Sequence, residues 1–468
     1  MLIASVTMYK ILSEDIPYTA NSELLFDALR DLPNAIWLDS GKPRSLQGRF
    51  DIISACPDSI IETRGNCSTI RNTSGAMESS EDPFDIAKQV LSKILPIDSP
   101  TEAPFVSGLI GYFGYDLGRH TISIPTTNQS VANLPDMRLG LYLWSLVVDH
   151  EARKSTLFFH PLCSVSVRES IHQRLKQQLS QPLKQTDFQL KNKFSATITR
   201  DQYRQDIDCI KNYIAEGDCY QVNYAQHLSA AYKGDIWQAY LHLRTASPAP
   251  YSVYWQWESQ TLLSLSPERF LKTTLEADKL QAQAKPIKGT VLRGNSVEED
   301  QENAIKLLNS DKDRAENLMI GDLLRNDLGK TCIAGSIKVP KLFDLESFPN
   351  VHHLVSTVTG TVQADKSSID VLKGAFPGGS ITGAPKKRAM QIIEELEPVR
   401  RSVYCGSVGY FCASNRMDSN IAIRTLIAED SMLHCWGGGG IVSDSNADSE
   451  FEESMNKIKL LLETLEAL

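Results

Sequence analysis

The sequence predicts a mixed α/β protein, and three observations carry that reading. Short apolar runs bounded by turn residues recur along the whole 468-residue chain. Between them lie stretches with apolar residues at helical spacing, several preceded by a Ser or Thr able to cap a helix. A hydrophobic share of 42% beside 22% charged residues supplies a large core.

Taken in order, residues 22–32 read as a helix with Leu24, Leu25, Ala28 and Leu29 on one face. Residues 35–38 form a strand that ends in the turn signal Asp39-Ser40-Gly41. Residues 49–53, 105–111 and 141–148 read as further strands, and Gly111, Gly114 and Gly118 predict close backbone packing. No catalytic spacing occurs in this half. Residues 180–195 are polar and aperiodic, and they set a compositional boundary between regions 1–185 and 195–465.

Beyond the boundary, Thr199 with Gln202 caps a helix carrying Tyr203, Ile207, Ile210 and Ile214. Residues 220–228 alternate as a strand with Gln221 and Asn223 on one face. A hairpin of residues 254–257 and 262–265 runs into Ser266-Pro267-Glu268-Arg269-Phe270. Strands 270–274 and 279–284 then lead to Lys285-Pro286-Ile287-Lys288-Gly289-Thr290, so Glu268 and Lys288 stand at the two ends of one predicted hairpin. Ser296 with Glu299 caps an acidic helix, and a second helix over 311–328 closes at Gly329 as its C′ residue.

The tract Gly378-Gly379-Ser380-Ile381-Thr382-Gly383-Ala384-Pro385-Lys386 opens a helix with Pro385 at its first position. Free N–H groups at such a start attract anions, carboxylates included. Its spacing matches neither a P-loop nor a dinucleotide fingerprint. Arg424 falls in an apolar strand over 421–426, where a cation is costly without an anion. A second glycine tract, 437–440, precedes the last helix. There Phe451, Met455, Ile458, Leu462 and Leu465 make the apolar face, while Glu450, Glu453 and Lys457 share another.

Composition excludes several classes. A net charge of -9 offers no basic field for nucleic acid. Nine cysteines without a CxxC pair argue against a disulfide framework or a zinc site and favour a reducing cytoplasm. The N-terminus lacks a signal-peptide pattern, and no apolar run reaches membrane-spanning length.

The ordered blocks around Glu268, Lys288 and Gly379 resemble the chorismate-utilising enzymes over about residues 200–460. Within that family, Lys288 resembles the aminodeoxychorismate-forming branch, because the anthranilate-forming enzymes carry alanine there. The resemblance implies two large, mainly antiparallel sheets packed as a sandwich with outer helices, the N-terminal region adding strands. It implies Mg²⁺ held by Glu316 and Glu453, with Glu450 beside it, since Mg²⁺ is often bound by one or two carboxylates, substrate oxygens and waters. One carboxylate of chorismate would meet the metal and the tract of Gly379, Ser380, Thr382, Gly383 and Ala384. The enolpyruvyl carboxylate would meet Arg424, Tyr404 and N–H groups near Gly438 and Gly440. Lys457 would add a cation, Thr290 a hydroxyl, and His353 would sit over the ring.

The implied mechanism begins with attack of the Lys288 amine on C2 while Glu268 protonates the departing 4-hydroxyl. Ammonia then attacks C4 and expels the lysine, giving 4-amino-4-deoxychorismate. The attack needs a neutral amine, and Glu268 needs burial to stay protonated near neutrality. Isochorismate-forming relatives carry a lysine where this chain has Gln221, which argues against water as the nucleophile. No glutaminase module is apparent, so ammonia would come from a glutamine amidotransferase partner subunit. Tryptophan-binding elements of the family resemble Leu38, Ser40, Gln47, Gly48, Arg49 and Phe50, together with Pro250, Tyr251 and Ser252, which implies a possible L-tryptophan pocket. The alternatives are an anthranilate synthase component I and a non-catalytic, tryptophan-binding regulatory subunit.

Overall fold

The computed structural model describes residues 8–45, 48–98, 103–178, 186–347 and 351–468. Two large sheets dominate them, one of 12 strands and one of 13. Their pairings are antiparallel, as in Gln221–Gly234 against Met432–Ile441, Tyr251–Trp257 against Gln260–Ser266, and Arg269–Glu276 against Lys279–Ala284. Strands from both sides of the compositional boundary enter each sheet. Gly108–Phe113 pairs with Ser407–Cys412, and Ile36–Asp39 pairs with Tyr251–Trp257. One continuous core, which includes the fully buried Trp37, Trp144, Trp237, Trp255 and Trp436, unites the two halves.

The chain passes between the sheets at three places that matter here. The run predicted as one strand over 141–148 is two strands, Met137–Tyr142 in the 12-stranded sheet and Trp144–Asp149 in the 13-stranded one, broken at Leu143. Both halves are buried, so the apolar run continues through the switch and conceals it. Residues 267–268 cross from Gln260–Ser266 to Arg269–Glu276, and residues 421–424 cross back from Met417–Asn420 to Thr425–Glu429. The predicted strand over 421–426 is therefore corrected: Arg424 lies in a crossover, at φ +50°.

The helices need smaller corrections. The first covers only Ser22–Asp27, because the next residues tighten into turns ahead of Pro33, with Leu29 N–H on Phe26 O. Gly329 is the last residue of the helix Asp311–Gly329, with Lys330 as its cap. Pro385 is the N-cap of Lys386–Leu396 and not its first helical residue; the glycine tract before it forms a 3₁₀ turn, Gly379–Ile381, and a short strand, Gly383–Ala384. The Thr199 and Ser296 caps stand as predicted, each hydroxyl accepting the N–H three residues on.

Candidate active site

The two crossovers run side by side. Ile421 N–H donates to Glu268 O at 3.0 Å, Leu265 N–H to Arg424 O at 2.9 Å, and the Ser266 hydroxyl to Ile421 O at 2.6 Å. Backbone bonds therefore bring the Glu268 and Arg424 segments together where the sheets exchange strands. Cys405 N–H, two residues after Val403, bonds Ala422 O at 2.9 Å and ties the Tyr404 turn to the same place. Tyr404 stacks on Trp436 with ring centroids 6.1 Å apart.

Lys288 reaches this place from the strand Ile287–Leu292. Ile287 pairs with Val355 and Thr290 with His353, so three steps on one strand match two on the other. Such a bulge re-aims a side chain, and Gly289 at φ +80° supplies the left-handed residue it requires. A Cβ on Gly289 would lie 2.9 Å from Asp313 Cβ and from Leu307 Cδ1, so the bulge is pressed against two helices. Glu268 faces it. Burial pushes the Glu268 carboxyl up to about 7, against the opposing pull of Lys288, the Ile287 N–H and Lys457. The sequence-derived pair thus meets with a carboxyl held near neutrality, the property expected of a proton donor.

The acidic cluster lies on the helix Ala447–Glu466. Lys457 Nζ is 2.8 Å from Glu453 Oε1 and donates to Gly438 O at 3.2 Å. The helical staple therefore exists, and it is joined to the glycine strand. A Cβ on Gly439 would lie 3.5 Å from Glu450 Oε2 and Lys457 Nζ and 3.8 Å from Glu453 Oε1, so a side chain there would fill the cradle between the two carboxylates. Burial pushes Glu450 up, with Glu453 adding to the effect against the Ser445 hydroxyl, Lys312 and Lys457. Burial also opposes ionisation of Glu453, but Lys457, Lys312 and Lys288 outweigh it and hold that carboxyl low. Glu316 is half-buried one turn after Lys312 on Asp311–Gly329. Among the described residues no group of three or more His, Cys, Asp or Glu converges as a closed metal cage. The hard oxygens of Glu450 and Glu453 beside an open glycine cradle fit a Mg²⁺ that takes its remaining ligands from elsewhere, substrate and water among them.

On the other side, Thr290 Oγ1 and His353 Nδ1 are 2.7 Å apart. Burial, with Arg424 second, holds His353 below its ordinary value. Burial also lowers Arg424, and among the described residues no carboxylate offsets it. A desolvated guanidinium with no acidic partner is suited to receive one from a ligand. The Gly379–Ile381 turn is fastened from below: Arg401 Nη1 donates to Ile381 O at 2.8 Å, and Asn223 N–H to Thr382 O at 2.9 Å. Tyr220 N–H bonds Ala384 O at 2.7 Å, and Gly383 has a Cβ position only 2.1 Å from Gln221 O. A Cβ on Gly440 would meet Gln221 Nε2 at 2.2 Å, and Gln221 Oε1 is buried without a partner among the described residues.

Sequence reasoning missed Arg401 and Glu397, a buried pair beneath the glycine turn, whose i, i+4 spacing was the available signal. It also missed Lys312, one turn before Glu316, and the ion pair of Lys285 with Glu346.

The tryptophan-type set is partly gathered. Register places Leu38, Phe50 and Tyr251 on one face of the 13-stranded sheet, and Arg269 lies over Tyr251 at 5.2 Å. Ser40 instead gives its hydroxyl to Asp51 at 2.6 Å, and Ser252 gives its own to Ala249 O at 2.9 Å. Gly48, at φ +83°, packs on Ser40, while Pro250 leads into the strand that begins at Tyr251. Arg49 pairs with Asp149 at 2.6 Å beside an outer cavity of about 570 Å³. Gln47 lies outside the described residues.

Residues 33–463 match the family model described as chorismate binding enzyme. Aminodeoxychorismate synthase component 1 of Escherichia coli K12 is 44% identical over 447 residues, covering 95% of this chain and 96% of that protein. Anthranilate synthase component 1 of Synechocystis is 34% identical over 452 residues, covering 90% and 88% respectively. The crystal structure of anthranilate synthase component I from Streptococcus pneumoniae superposes with a TM-score of 0.79 at 30% identity, covering 89% of this chain and 93% of that one.

Proposed function

The chain belongs to the chorismate binding enzyme family, and on that premise we propose that it converts chorismate and ammonia to 4-amino-4-deoxychorismate on the way to 4-aminobenzoate and folate. The observation that carries this reading is Lys288 on its glycine bulge opposite Glu268, whose carboxyl is pushed up to about 7. The Lys288 amine forms a bond to C2 of chorismate as the ring double bonds shift. Glu268 gives its proton to the 4-hydroxyl, which leaves as water. Ammonia then bonds to C4, the C2–nitrogen bond breaks, and the lysine departs as the free amine.

The substrate's carboxylates need two receivers. Arg424, with Tyr404 and the backbone near Gly438 and Gly440, suits the enolpyruvyl carboxylate. The glycine turn, with Ser380, Thr382 and Ala384, suits the other. Glu316, Glu453 and Glu450 would hold Mg²⁺, which supplies charge neutralisation for the ring carboxylate. Lys457 orients Glu453, and Thr290 with His353 borders the ring.

The relatives' designation as component 1 supports a second component, here a glutamine amidotransferase delivering ammonia. The Leu38, Phe50 and Tyr251 face suits L-tryptophan as a structural ligand. All nine cysteines are free, which suits a reducing cytoplasm, and among the described residues no helix is long and apolar enough to cross a membrane. Incubation with chorismate, Mg²⁺ and ammonium, followed by chromatography, tests the reading. 4-Amino-4-deoxychorismate is expected; fluorescent anthranilate as the main product would overturn it.

A further inference from the structure

Two lysines, Lys285 and Lys288, stand on either side of Pro286-Ile287, and the reaction above uses only the second. Lys285 Nζ lies 2.5 Å from Glu346 Oε1 on the strand Lys338–Ser347, with both side chains about 29% exposed. Glu346 is the direct cross-strand partner of His353, and Thr290 is its partner on the opposite side. Direct partners share a sheet face. Thr290, His353 and Glu346 therefore form one row across three strands, with Arg424 acting on the same imidazole from the crossover. The two helices packed behind the strand engage its other face. Asp300 accepts from His352 Nε2 at 3.0 Å and is met by Arg293, and Asn317 donates to Leu354 O at 3.1 Å.

We infer that Lys285 is a positioning residue that holds and neutralises Glu346, so that His353 faces chorismate as an uncharged imidazole hydrogen-bonded to Thr290. The inference rests on the assignment of His353 and Thr290 to the substrate site. A carboxylate a few ångströms from an imidazole favours the protonated ring, by about one to three pH units. The Lys285 ammonium at contact distance weakens that pull while leaving Glu346 in its row. Burial and Arg424 then outweigh what remains of the Glu346 pull and keep the ring neutral. A neutral ring leaves Arg424 as the cation that selects the carboxylate's position.

Histidine NMR titration of the full chain, with His353 identified by its missing signal in His353→Asn, reads this directly. Lys285→Met should raise the His353 midpoint by about one pH unit, and Lys285→Arg should leave it near wild type. Glu346→Gln should lower the midpoint, and the Lys285→Met/Glu346→Gln pair should cancel the rise. The acid limb of kcat/KM for chorismate should move with the midpoint. An unmoved His353 midpoint in both Lys285→Met and Glu346→Gln would overturn the inference. The titration needs no substrate, so its outcome is separate from the identity of the product.

Discussion

Glu268 is where a single residue's environment sets the chemistry. A carboxyl pushed up to about 7 by burial is protonated below that pH and loses its proton above it. Formation of the lysine adduct, measured without ammonia, should therefore fall as pH rises through about 7, and Glu268→Gln should abolish the fall along with most of the rate. The same shift acts on stability. Because the folded carboxyl lies above its unfolded value, stability is fully present at acid pH and is lost as pH rises through about 7. Thermal melts should show Glu268→Gln losing less stability than wild type between mildly acidic and mildly alkaline buffer. The nearness of Glu268 and Lys288 was legible in the sequence, because the hairpin between them could be counted, whereas their roles came only from the family resemblance. The acidity of Glu268 was legible only as a requirement, since its burial is built by strands that lie far apart along the chain.

At the scale of elements, the site depends on interruptions of regular structure. The strand Ile287–Leu292 turns Lys288 toward Glu268 only because Gly289 adopts φ +80° against Asp313 and Leu307. Gly289→Ala should cost about 1–2 kcal/mol through its backbone alone, and the contacts at 2.9 Å should add to that and displace the lysine. Gly217→Ala is the control: it shares a positive φ of +84° but would meet nothing within 4 Å. Both variants should lower Tm, and only Gly289→Ala should also abolish chorismate turnover. Equal activity in the two would show that the bulge does not aim Lys288. Such interruptions escape periodicity. The apolar runs at 141–148 and 421–426 read as unbroken strands because residues on both sides of each switch are buried, although the chain changes sheets within them. Caps were more legible, since Thr199 and Ser296 act within their own turn.

Across the whole molecule, the candidate site lies where two sheets trade strands, and the candidate metal carboxylates lie on two helices. The sandwich was legible only through the family resemblance; counting strands along the chain gives α/β and no more. Pairings such as Gly108–Phe113 with Ser407–Cys412 join residues some 300 positions apart, beyond any local pattern. The metal assignment belongs to this scale, because Glu316 and Glu453 sit on different helices. Chelation with EDTA should stop turnover and Mg²⁺ should restore it. Calorimetry should show Mg²⁺ binding weakened in Glu453→Gln even without chorismate, and unchanged binding in that variant would remove Glu453 from the metal site.

The central claim is that Lys288 forms a bond to the substrate. Intact-mass spectrometry after incubation with chorismate and Mg²⁺, with ammonia withheld, tests it most directly. The wild-type chain should gain the mass of chorismate less one water, and Lys288→Ala should gain nothing. Turnover of chorismate with ammonia by Lys288→Ala at the wild-type rate, or an adduct of equal yield on that variant, would contradict it.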